Sequence, residues 1–301
     1  MSSPGTQLFI AVPAALAGAA GFGLASAVQQ RATKQVRTTR TLDPRLLWDL
    51  VRKPVWLLSI GTVVLGLSLQ VIALAFGPLV LVQPLLVTSV LFGAVFAAWM
   101  ARRRLDRVLV LGAVAVAAGL AAFLLLARPS GEGEGFTGNR VAPLAVLLTV
   151  IVLGCLVAAN RFTGEGRVLA LALATGVLYG VTAGLIKVVA GQIRAGGVLE
   201  PFLHPPLYVV CVLGPIGFLL SQNTFQQGRF ISPALAVITS ADPLVGVAIG
   251  VGWLGEEIVA TPSALVGETV AAVVLIVGIV VLTRRGEHLR RVLAEQENRS
   301  G

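Results

Sequence analysis

The fold this sequence predicts is an all-α protein that crosses a lipid bilayer about nine times, and three observations predict it. Apolar residues make up 56% of the 301-residue chain, charged residues only 12%, and mean hydropathy is +0.90; a soluble domain carries roughly 25% charged residues. The apolar residues fall in uninterrupted runs of about 20, the helical length that spans a hydrocarbon core of ~30 Å. The basic residues are confined to alternate loops between those runs.

In chain order the expected spans are Leu8–Val28, Pro54–Phe76, Pro78–Met100, Val108–Ala127, Val141–Ala159, Val168–Ala190, Pro205–Gln222, Phe230–Leu254 and Pro262–Leu282. The first has no basic segment before it and a basic loop after it, so it reads as a retained span rather than a cleaved signal. Between the first and second, Asp43-Pro44 is a helix start, with Leu46, Leu47, Leu50 and Val51 on one face. Residues 44–53 therefore read as a short helix lying on the membrane surface. The Gly/Glu-rich stretch 128–140 reads as an irregular outer loop, and 284–301 as a cytoplasmic tail. With the N-terminus outside, the inner segments hold nineteen Lys and Arg and the outer ones three. That asymmetry orients the chain with its N-terminus out and C-terminus in, and it accounts for the net charge of +9 without any nucleic-acid partner. Trp56, Trp99 and Trp253 stand near the expected membrane interfaces, where aromatic anchors gather.

The outer loop divides this single transmembrane domain into four spans (about 8–127) and five (about 141–283). The third and eighth spans are alike: Gly77-Pro78 and Ser232-Pro233 open them, and Gln83-Pro84-Leu85 and Asp242-Pro243-Leu244 lie further in. They are expected to run in opposite directions, with Pro84 and Pro243 breaking their helices. Proline-interrupted segments at matching places in two inverted halves are a sequence pointer to a transporter's binding site.

Within the spans only Lys187, Asp242 and Glu268 carry side chains that are ordinarily charged at neutral pH. Asp242 lies roughly 18 Å from the inner end of its helix, where an acid costs about 2.5–3.5 kcal/mol on insertion scales. Asp242, Lys187, Glu268 and Gln83 are the candidate substrate- or ion-coupling residues, and Glu256 and Glu257 sit where an outer vestibule would be. Gly176, Gly180 and Gly184 repeat every four residues and form a ridge for close helix packing, on the face that carries Lys187. Structural readings stand beside these: Lys187 reaching the surface, Asp242 capping a broken helix, Glu256 and Glu257 solvated or capping, and Gln70, Gln83 and Thr88 bonding between helices. Cys155 and Cys211 read as small core residues. No phosphate-binding glycine loop, His pair or metal-ligand spacing is present, so neither catalysis nor a cofactor is expected.

The segments 75–85 (Ala-Phe-Gly-Pro-Leu-Val-Leu-Val-Gln-Pro-Leu) and 238–244 (Ile-Thr-Ser-Ala-Asp-Pro-Leu), the latter followed by Leu-Gly-Glu-Glu at 254–257, resemble the drug/metabolite transporter (DMT, EamA-like) superfamily. The resemblance covers about residues 8–283. It implies two inverted repeats, and the span count is similar to that of the nine-span, magnesium-transporter-like (NIPA-type) branch. The first half departs from the family pattern, with Met100-Ala-Arg-Arg-Arg104 where a Gly-Glu pair is usual. The expected function is secondary transport of a small metabolite across the plasma membrane by alternating access. The alternatives are a divalent-cation transporter and a non-transporting membrane scaffold. Expected partners are the bilayer and the solute or cation; a homodimer is compatible with the sequence, and whether a metal binds is left open.

Overall fold

The computed structural model describes residues 4–33, 51–52, 54–100, 138–225 and 231–256, with isolated positions in 111–122 and 266–281. Most of the surface helix expected at 44–53, residues 128–137 of the outer loop, the tail, Glu257 and Glu268 lie outside the described residues, as do most of the expected fourth and ninth spans.

Eight α-helices are described: α1 (Pro4–Thr33), α2 (Pro54–Phe76), α3 (Leu79–Val87), α4 (Ser89–Met100), α5 (Gly138–Arg161), α6 (Glu165–Gly196), α7 (Pro205–Phe225) and α8 (Ile231–Gly252), with one 3-10 turn at Glu200–Leu203. No strand occurs among the described residues. Five of the helices, α1, α2, α5, α6 and α7, are long and apolar enough to cross a membrane, while the apolar stretches Leu79–Gly93 and Val237–Gly252 are shorter. Their outer faces are apolar: Leu57, Leu58, Val64 and Leu65 on α2 and Val146, Val150, Leu153 and Val157 on α5 are all exposed. Exposed apolar surface on this scale belongs against lipid rather than water, and the protein is a helical membrane protein.

The helices gather in two groups. In the first, α1 packs against α2, α3 and α4; in the second, α6 packs against α5, α7 and α8. The groups meet where α3 lies on α8 and α2 on α6, with further contacts between α1 and α7. The core cluster bridges both groups, joining Leu74, Leu79, Val82 and Leu85 to Val177, Ile186, Ile249 and Trp253.

Small residues permit the tightest approaches. A methyl group added to Gly23 of α1 would lie 2.6 Å from the Gly93 nitrogen and 2.6 Å from the Ser89 carbonyl oxygen on α4. The ridge of Gly176, Gly180 and Gly184 packs α6 onto α8, at Ile238 and Ala241, at Asp242 and Val245, and at Ile249. These pairs advance together along both chains, so α6 and α8 run parallel. Dispersion and close backbone contact hold such a pair in lipid, where burial of apolar surface adds little.

Three sequence expectations change here. The third span is two helices, α3 and α4, interrupted at Thr88, whose backbone stays helical (φ −60°, ψ −12°) but whose amide donates to the Leu85 carbonyl three residues back at 3.1 Å. Pro84 lies inside α3, one turn before that interruption. Pro243 breaks nothing: α8 continues through it from Ile231 to Gly252. A proline removes one rung of the hydrogen-bond ladder, and neighbouring helices can support the frame around that gap; here α3 and α6 lie against α8 on either side. Trp56 and Trp253 are buried rather than interfacial, and Trp56 sits against Phe218; Trp99 alone of the three is exposed.

Candidate functional site

The short helix α3 carries the site into the protein. It begins after a break at Gly77-Pro78, and Pro78 has no side chain with which to cap it. The cap comes instead from Glu256, far away in sequence. Its Oε1 accepts the Leu79 amide at 2.6 Å and its Oε2 accepts the Val80 amide at 2.8 Å. Gly255, with φ +66°, turns the chain after α8 so that Glu256 reaches α3, and the Glu256 amide donates to the Gly250 carbonyl at 2.9 Å. A carboxylate on free N-terminal amides is favoured by their hydrogen-bonding capacity and by the helix dipole.

The other side of the break is held by cations. Lys187 Nζ donates to the carbonyls of Leu74 (2.9 Å) and Gly77 (2.7 Å), at the C-terminal end of α2. Arg194 donates to the Ala75 carbonyl and lies over the Phe76 ring. The break between α2 and α3 thus has positive groups from α6 on its carbonyl end and a negative group on its amide end, as the helix dipoles require. Burial pushes the Glu256 carboxyl above its ordinary pKa, and the two amides and the charge of Lys187 oppose that rise.

Deeper in the molecule lies a second polar layer. Gln83, only 1% exposed, sits one turn into α3 from the cap. Its side chain rests on Gly246 of α8: a methyl group there would lie 2.6 Å from Cγ and 2.8 Å from Cδ. Val80 meets Gly250 in the same way, so α3 and α8 are antiparallel where they cross. Asp242 lies one turn before Gly246. Its Oδ1 and the Nε2 of Gln83 are both enclosed and have no hydrogen-bond partner among the described residues. Tyr179 of α6 lies within electrostatic range of Asp242, and the Ser221 hydroxyl of α7 donates to the Phe218 carbonyl at 2.7 Å. Beyond Ser221, Gln222 Nε2 donates to Gln29 Oε1 of α1 at 3.1 Å.

The structure therefore places Gln83 on Gly246, one turn along α8 from Asp242, and sets Lys187 and Glu256 in a separate layer. Lys187 lies seven residues past Gly180, the glycine that faces Asp242, or ~10 Å along α6. Glu256, read from the sequence as an outer-vestibule residue or as solvated or capping, is 2% exposed and caps α3 through both oxygens, because α3 starts without a cap of its own. Gln70 and Thr88 are buried, and Thr88 closes on the Leu85 carbonyl of its own segment. Tyr179, Ser221, Gln222 and Gln29 were not singled out from the sequence. The polar run Ser221-Gln222-Asn223-Thr224 inside an apolar span was the available signal, as was a tyrosine between two ridge glycines.

The chain is similar to an uncharacterized protein of Corynebacterium glutamicum, 26% identical over 275 residues, which is 91% of this chain and 95% of the relative. The likeness therefore runs through most of both helix groups. No family model matches the chain, and no solved structure matches it.

Proposed function

We propose that the protein is a secondary transporter of the DMT, EamA-like kind, moving a small metabolite across the plasma membrane by alternating access. In this reading nine spans form two inverted halves, with the N-terminus out and the C-terminus in. One observation carries the reading: an amide from one helix group lies one helical turn from an acid of the other where α3 packs on α8, each with an enclosed polar atom that has no hydrogen-bond partner among the described residues. An unpaired buried polar group costs about 1–3 kcal/mol, and an acid in a span costs more. A solute or ion that binds there offsets that cost in the loaded state. Because the two groups belong to opposite halves, movement of one half against the other opens and closes the site.

The scaffold alternative gives these atoms no use, since apolar residues at Gln83 and Asp242 would serve a scaffold better. The divalent-cation alternative drew on the nine-span count and the outer Glu256/Glu257 pair; both oxygens of Glu256 are engaged by α3, and Glu257 lies outside the described residues. Proteoliposomes loaded with a soluble metabolite extract of the expression host test the proposal. With an imposed ion gradient, mass spectrometry should find at least one solute leaving faster than from protein-free vesicles. If none does, and magnesium alone moves, the metabolite reading is lost.

A further inference from the structure

Resting on that transport reading, we infer that the site at the α3–α8 crossing takes a solute bearing an ammonium or amide N–H donor next to a carbonyl or hydroxyl acceptor, and no free carboxylate or phosphate. The two unsatisfied atoms are of opposite kinds. Asp242 Oδ1 is an acceptor and Gln83 Nε2 a donor. Position 246, on which the Gln83 side chain rests, is one turn from Asp242, and side chains so spaced on a helix stand ~6 Å apart. A small polar group with a donor at one end and an acceptor at the other matches that pair.

Charge narrows the class further. In the apolar spans of the whole sequence the only basic residue is Lys187, whereas Asp242 and Glu268 are both acids. Lys187 is committed to the carbonyls of Leu74 and Gly77 and lies eight residues past Tyr179, ~12 Å along α6. Arg167 lies twelve residues before Tyr179, ~18 Å the other way. An anionic solute at Asp242 would meet a like charge with no cation beside it among the described residues, which is unfavourable in a medium of low dielectric. A protonated amine meets the acid directly, and its neighbouring acceptor meets Gln83.

Gly246 makes the geometry testable without touching either polar group. Its lack of a side chain leaves room for Gln83, and a methyl group there would overlap Cγ and Cδ. Gly246→Ala therefore displaces the donor while Asp242 remains.

The test sorts the solutes that leave the extract-loaded proteoliposomes by charge class. The expected result is export of amines or amides without acidic groups. Export should fall about tenfold or more in Asp242→Asn, a change of ~1.4 kcal/mol, and stay closer to wild type in Asp242→Glu. Gly246→Ala should lower export of solutes carrying the acceptor more than export of simple amines. Export confined to carboxylates or phosphate esters overturns the inference and leaves transport standing. Absence of any export overturns both. Equal elution profiles and thermal midpoints for the variants exclude misfolding, and should Asp242→Asn fail that check, Asp242→Glu and Gly246→Ala carry the comparison.

Discussion

Replacing Glu256 by glutamine isolates the cap on α3. The carboxylate accepts two backbone amides, at 2.6 and 2.8 Å, from a side chain that is 2% exposed. Glutamine keeps one acceptor oxygen and turns an NH2 group toward the other amide. One hydrogen bond to a charged group, worth about 1.5–3 kcal/mol, is lost, and one buried N–H left unpaired costs about 1–3 kcal/mol. Two effects reduce the sum. A buried carboxylate is itself penalised by desolvation, which is why burial pushes its pKa up, and hydrogen bonds measured inside membrane proteins average only about 0.6 kcal/mol. The net expectation is a loss of about 2 kcal/mol. Reversible unfolding in mixed detergent micelles measures it, with Lys187→Met and the double variant completing a cycle. The charges should couple by at least about 0.5 kcal/mol, the lower range for interacting neighbours. Stability of Glu256→Gln within about 0.3 kcal/mol of wild type would refute the capping account.

Other consequences are equally direct. Gly180→Ala places a methyl group 2.7 Å from both the Asp242 carbonyl oxygen and the Val245 Cβ. It should destabilise the protein by about 1–3 kcal/mol, as overpacking does, and the same unfolding assay reads it. Lys187→Met leaves two carbonyls at the end of α2 without their ammonium and should cost about 1–2 kcal/mol; a gain in stability would mean that the ammonium is not needed there. A cysteine at Gly133, in a chain with Cys155 and Cys211 replaced by alanine, should react with a membrane-impermeant maleimide from outside intact cells. Labelling only after lysis would reverse the orientation.

Much of the frame was legible because it depends on local chemistry. Pro54 and Gly77-Pro78 punctuate α2 at both ends, and the structure begins and ends that helix at Pro54 and Phe76. The Gly176, Gly180 and Gly184 ridge was readable from spacing alone, since a four-residue repeat must form one face of a helix. The likeness of the Gln83-Pro84 and Asp242-Pro243 segments pointed to the pair of helices that cross. What could not be read depends on contacts distant in sequence. Glu256 and Leu79 are separated by 177 residues, so nothing local marks the acid as the cap of another helix. Pro243 shows the limit of residue rules: its missing amide predicts a break, but α8 runs on between α3 and α6. Trp56 and Trp253 fit an interfacial belt by position in sequence, yet each sits on the side of its helix that faces protein.

The account rests most heavily on Asp242 as the residue that engages the solute. Initial export rates from proteoliposomes containing equal amounts of folded wild-type and Asp242→Asn protein test it most directly. The account predicts at least a tenfold lower rate for the variant, about 1.4 kcal/mol in apparent interaction, with an unchanged elution profile. An equal rate for the two proteins would contradict it and return Asp242 to a structural role in α8.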